Sequence, residues 1–342
     1  MNAFVPAAAS ATLPARSLRA RHLACAALAL CAGWLAAGAF AQPQSWPNRP
    51  IRMIVASPPA GPSDILARLV AQQLTQAWGQ TVVVDNRAGA NGMIAGELTA
   101  KSDPDGHTFL LANAGFVINT ALYDKVPYDP FREFVPITLA MSVPNILVVH
   151  PSLPVKSVAE LIAWAKGKPG QLAVASAGSG SSGHLALELF QQVAGIRTIH
   201  VPFKGGGPAL ADVVAGQTQA LFSISLAAMP QIRAGKVRAL GVTSLKRLAA
   251  APDIPTVAET GFAGFEVTGW FGFVAPVKVP RDIVTRLHAQ IVRGLSAPEV
   301  RERLVDQGAE IVGSTPEAFG TYMKSEQVKW TKLIRQAGIK SD

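Results

Sequence analysis

From residue 51 onward, short apolar runs alternate with stretches whose apolar positions recur every three or four residues, the patterns of buried strands and amphipathic helices. The run at 51–56 predicts a buried strand and is followed by a tight turn, SPPAGP. Ile65, Leu66, Leu69, Val70, Leu74 and Trp78 then mark one face of a helix, with Ser63 or Asp64 as the expected N-cap and Gly79 as the residue that ends it. Further strands are expected at 81–85, 107–112, 146–149, 172–175, 220–224, 239–242 and 267–274. Helices are expected at 93–101, from a Ser157/Glu160 capping box to Lys166, before Gly216 and Gly235, and at 282–295 and 298–307. A last helix is opened by Ser314, Pro316 and Glu317. The polar, proline-bearing segment 123–136 reads as a surface excursion, and Pro252 and Pro255 mark a long loop. Strands that alternate with helices pair in parallel, and open parallel sheets bind ligands beyond the carboxyl ends of their strands. Four loops occupy such ends: 57–63, 113–119, 176–183 and 203–207.

The two later loops are rich in glycine. After the run at 172–175 come Ser176, Gly178, Ser179, Gly180, Ser181, Ser182 and Gly183, and helical spacing resumes with Leu185, Leu187, Leu189 and Phe190. Lys204, Gly205, Gly206, Gly207 and Pro208 repeat the design. A glycine turn that feeds a helix start presents unpaired N–H groups and the positive end of a helix dipole, which suits a carboxylate or phosphate. Gly178, Gly180 and Gly183 also satisfy G-x-G-x-x-G, but no acidic residue lies at 199–203, where a dinucleotide ribose needs one. The serine-hydrolase elbow G-x-S-x-G is missed by one residue. A plain βα turn is the simpler alternative for the first loop, and its repetition in the second favours anion binding.

The first 41 residues are set apart. Arg16, Arg19 and Arg21 precede an apolar block at 23–40, and Ala39, Phe40, Ala41 form a small-x-small site, which predicts a secretory signal cleaved after Ala41 and export from the cytoplasm. Both cysteines, Cys25 and Cys31, lie in this leader, so disulfides and thiolate chemistry are not expected of the mature chain. Losing three arginines lowers the formal charge from +9 to +6 over the remaining 301 residues. There is no run of five or six basic residues, so nucleic-acid binding is not expected, while a mild positive excess favours small acids. About 300 residues, half of them apolar in composition, suffice for two cores.

Catalytic chemistry finds little footing. The six histidines form no metal-ligand pattern, and no serine, histidine and acid are placed together by a motif. Carboxylates are missing from the glycine loops. His184, at the start of its helix, is expected either to bond its loop or a ligand or to be a plain first-turn polar residue, and Trp270, Phe271 and Phe273 are expected to fill the core. No catalytic residue, metal site or cofactor is therefore expected.

Nine segments in order, among them WPNRPIRMIVASPPAGPSDILAR, VVVDNRAGANG, VASAGSGSSGHLALELF, HVPFKGGGPAL and WFGFVAPVKVP, resemble the periplasmic receptors of tripartite tricarboxylate transporters, the Bug proteins. The resemblance covers essentially the whole mature chain. It implies a two-lobed α/β periplasmic binding protein, a Venus flytrap, with lobe 1 at 42–143 plus 269–342 and lobe 2 at 144–268. Its two interdomain crossings would fall near 143–147 and 268–271. It implies a small carboxylate held largely by backbone amides and waters, delivery to membrane transporter subunits, and action as a monomer without cofactor. Carried onto this chain, the family's ligand contacts fall on Pro59, Ala60, Gly61, Pro62 and Ser63, on Asn113 and Ala114, on Ser176, Ala177, Gly178, Ser179, Gly180 and Ser181, and on Lys204, Gly205, Gly206 and Gly207. Ala60 stands where the family usually has glycine, and its methyl is expected to narrow the pocket or alter a water site. Two other readings stand beside this one: a sensory or orphan receptor of the same fold, and a periplasmic hydrolase using a loop serine beside His184.

Overall fold

A computed structural model describes residues 46–339, together with Met1. The leader reading therefore falls outside the described residues. Strand β1 (Ile51–Val55) is buried on both faces, as its continuous apolar run requires in a parallel sheet. It pairs in parallel with β2 (Val82–Asn86) and β3 (Thr108–Asn113). Helix α1 (Pro62–Trp78) links β1 to β2, and α2 (Met93–Ala100) links β2 to β3. A second parallel set joins β5 (Ala173–Ser176), β6 (Ile199–Pro202) and β7 (Ala220–Ile224), with α5 (Ser182–Ala194) and α6 (Gly206–Val214) as crossovers.

Two antiparallel strands join these sets. Strand β4 (Phe134–Val149) pairs through its first part with β9 (Thr268–Pro276), which borders β3. Its last five residues pair with β7, and 146–149 also face β8 (Arg238–Val242). A short β10 (Glu310–Ile311) lies against Met141 and Ser142. The resulting path is β2-β1-β3-β9-β4-β7-β5-β6. The remaining helices are α3 (Gly115–Leu122), α4 (Val158–Gly167), α7 (Ser225–Arg233), α8 (Arg281–Leu295), α9 (Pro298–Val305) and α10 (Pro316–Ala337).

Four expectations are corrected here. The strand expected at 146–149 is the end of a strand of 16 residues. The segment 123–136 is not wholly a surface excursion: Tyr128 and Phe134 are buried, and Phe116 stacks on Tyr128 at 5.1 Å and meets Phe134 edge-on at 4.9 Å. At α1 the N-cap is Gly61, with Pro62 in the first turn, and Asp64 sits one turn inside. Its carboxylate reaches back to accept the Ala60 N–H at 2.9 Å, one residue ahead of the cap. At α10 the cap is likewise Thr315, whose hydroxyl accepts the Ala318 N–H at 3.2 Å, while Ser314 Oγ accepts the Leu139 N–H at 3.0 Å. Ser157 caps α4 as its spacing predicts, accepting the Glu160 N–H at 3.1 Å.

Helix α10 docks on β9 at Gly272, where a Cβ would overlap the Phe319 ring. This close approach sets Phe319 edge-on to Trp270 at 5.5 Å. Both rings are fully buried, so the C-terminal helix fixes the position of β9 and of the side chains it carries.

Candidate functional site

The carboxyl ends of β1, β3, β5 and β6 open onto one cavity of about 400 Å³. The turn after β1 supplies Pro59 and Gly61–Ser63, the end of β3 supplies Asn113 and Ala114, and the two glycine loops supply Ala177–Ser179, Ser181 and Lys204–Gly207. The first turns of α1, α3, α5 and α6 all border it. Four helix N-termini therefore aim unpaired N–H groups and partial positive charge at one space. Lys204, exposed on its loop, is the one charged side chain among the described lining residues. The cavity thus suits a small anion bound mainly by backbone.

Two of these turns are braced by side chains, most of them outside the lining. In the first, Asp64 is 3 % exposed and its Oδ2 also accepts from Arg68 Nε at 2.8 Å. Burial pushes this carboxyl up, but the Arg68 and Ala60 hydrogen bonds outweigh it and hold the group below the usual aspartate range. In the glycine loop 176–183, Ser181 caps α5 by accepting the His184 N–H at 3.3 Å. The Gly180 N–H donates to His184 Nδ1 at 3.0 Å, which leaves the ring proton on Nε2, 3.5 Å from Glu188. His200 stacks on His184 with centroids 3.9 Å apart, and its Nε2 lies 2.7 Å from Ser176 Oγ. Ser176 in turn accepts the Gly178 N–H at 3.1 Å. His184 thus bonds its loop and is not merely a first-turn polar residue. Ser176, the serine bonded to His200, is fully buried and outside the lining.

Three of the residues carried over from the resemblance also fall outside the lining. Besides Ser176, Gly180 turns away at φ 76, where a Cβ would stand 2.6 Å from Leu122 and 2.9 Å from Asn91 Nδ2. Ala60 is exposed, so its methyl does not narrow the cavity; what distinguishes it is a left-handed backbone, φ 62. That conformation explains why glycine is the residue expected there.

Sequence reasoning missed the loop 88–92, the end of β7, and Asn145, Gly269, Trp270 and Phe271 on the two antiparallel strands. The first had a usable signal, since it follows a parallel strand like the other loops. The last four lie within strands and carry no turn chemistry. Trp270 and Phe271 are buried as expected and line the cavity as well.

Residues 66–339 match the family described as "Tripartite tricarboxylate transporter family receptor". A UPF0065 protein of a Pseudomonas strain is 42% identical over 291 residues, covering 85% of this chain and 87% of its own. Protein BugT of Bordetella pertussis is 37% identical over 318 residues, covering 92% and 98%. Among solved structures, an R. palustris protein with adipate superposes with a TM-score of 0.84 at 36% identity, over 87% of this chain and all of its own. MatC of Rhodopseudomonas palustris with bound malate gives 0.80 at 30% identity, over 84% and 100%.

Proposed function

The chain belongs to the tripartite tricarboxylate transporter receptor family, and from that premise we propose that it captures a small carboxylate in the periplasm and delivers it to a membrane transporter. The observation that carries this reading is the convergence of four helix N-termini on one cavity whose one charged lining side chain, among the described residues, is a lysine. Adipate and malate in two relatives support the ligand class. In this reading a signal cleaved after Ala41 exports the chain. The lobes are 42–143 plus 269–342 and 144–268, joined near 143–147 and 268–271. The exchange of β9 for β7 as the partner of β4 at Asn145 supports that division. The mature protein acts as a monomer, without cofactor, and closes on its ligand by a hinge motion.

A thermal-shift screen of the purified protein against mono-, di- and tricarboxylates and aromatic acids tests the reading. A ligand at 100 times its dissociation constant adds about 2.7 kcal/mol of stability, a clear rise in Tm. A flat panel on protein that has been unfolded and refolded, so that no copurified ligand fills the cavity, overturns it.

A further inference from the structure

Asn145 is the first residue of β4 to leave β9. Pro144 still pairs with Thr268, whereas Asn145 pairs with Ile224 on β7. Its backbone is satisfied by Thr243: the Asn145 N–H donates to Thr243 Oγ1 at 2.9 Å, and its carbonyl accepts the Thr243 N–H at 2.9 Å. The side chain has no part in those bonds. It is fully buried, forms part of the cavity wall, and accepts from Ser182 Oγ through Oδ1 at 3.3 Å. Among the described residues its Nδ2 has no hydrogen-bond partner. Exchanging the two amide atoms does not remove the problem, because Ser182 reaches one end of the amide and the other end stays unpaired.

A buried amide donor without an acceptor is held at a free-energy cost, and such a group in a folded protein calls for an explanation. Here Nδ2 belongs to a residue of the cavity wall beside Ser182, the first residue of α5, where the field favours negative charge. We propose that Asn145 Nδ2 is a ligand-contacting donor that binds an oxygen of the carboxylate and selects for an anionic oxygen at that point. This rests on the carboxylate-receptor reading above. Ser182 is then a positioning residue: by donating to Oδ1 it turns the Nδ2 end toward the bound oxygen.

The test is calorimetric titration of malate, succinate, adipate, citrate and benzoate into wild type, Asn145→Ala and Asn145→Asp. Asn145→Ala is expected to weaken the tightest of these acids about 10- to 100-fold, the range for a hydrogen bond to a charged group, without lowering the Tm of the ligand-free protein. Asn145→Asp keeps the shape of the side chain and sets a carboxylate against the ligand. It is expected to weaken binding further at pH 8 and, relative to the wild-type pH profile, to regain affinity toward pH 5, where a protonated aspartate again donates. A packing role would show no such recovery. Affinities within twofold of wild type in Asn145→Ala, or an equal loss for Asn145→Asp at both pH values, overturn the proposal. Wild type that binds none of the five acids overturns it together with the receptor reading, whereas tight wild-type binding that Asn145→Ala leaves unchanged overturns the role of Asn145 alone.

Discussion

The turn after β1 and the glycine loop after β5 do the same job by different means. Both follow a parallel strand, open a helix, and offer backbone N–H groups to the cavity. The first places an alanine in the left-handed region and holds it with an ionised carboxylate that also engages Arg68. The second uses glycine at the left-handed positions and braces the loop with hydroxyls and two stacked imidazoles. A strained turn needs a strong anchor, whereas a loop with little intrinsic strain is held by neutral hydrogen bonds.

The largest separation of the two should come from Asp64→Ala. It removes charge-assisted bonds to Ala60 and Arg68 and is expected to cost about 2–3 kcal/mol in urea unfolding. The effect should depend on pH. Because the folded carboxyl lies below its ordinary range, its stabilising contribution is complete above the unfolded aspartate pKa and is lost as pH falls through the lower folded value. Wild type should therefore lose stability more steeply on acidification than Asp64→Ala, and parallel acid limbs would refute the anchor role.

A smaller effect is expected from Gly180→Ala. A left-handed alanine costs about 1–2 kcal/mol, and the new methyl would also press on Leu122 and Asn91. The reverse exchange in the other turn, Ala60→Gly, should change least. It relieves a comparable strain but adds freedom to the unfolded chain, for a net gain of about 0.5–1 kcal/mol in the same assay. If Ala60→Gly destabilises, Ala60 is not strained and the contrast between the turns fails.

Much of this was legible in the sequence because parallel strands, glycine turns and helix starts are local. The run at 51–56 and the stripe from Ile65 to Trp78 yield β1 and α1 to within a few residues. Strand β4 was not, because Pro136 and Pro144 interrupt it and a proline inside a central strand normally argues against one. The same difficulty hid the middle of the site. Asn145 and Gly269 meet the cavity through the pairing of strands far apart in the chain, and Gly269 allows that approach because a Cβ there would lie 3.2 Å from both Ser182 Oγ and the Val143 carbonyl. Ala60 failed as a pocket residue for another reason: its meaning lies in its φ angle, which a side-chain reading does not consult.

The loop after β6 meets the turn after β1 at Gly205. A Cβ there would stand 2.9 Å from the Pro58 ring, and both residues line the cavity. In the receptor reading this contact is a seam that parts when a bound acid leaves. Gly205→Ala, which sets a methyl in that seam, should therefore shorten the residence of the acid more than it slows its capture.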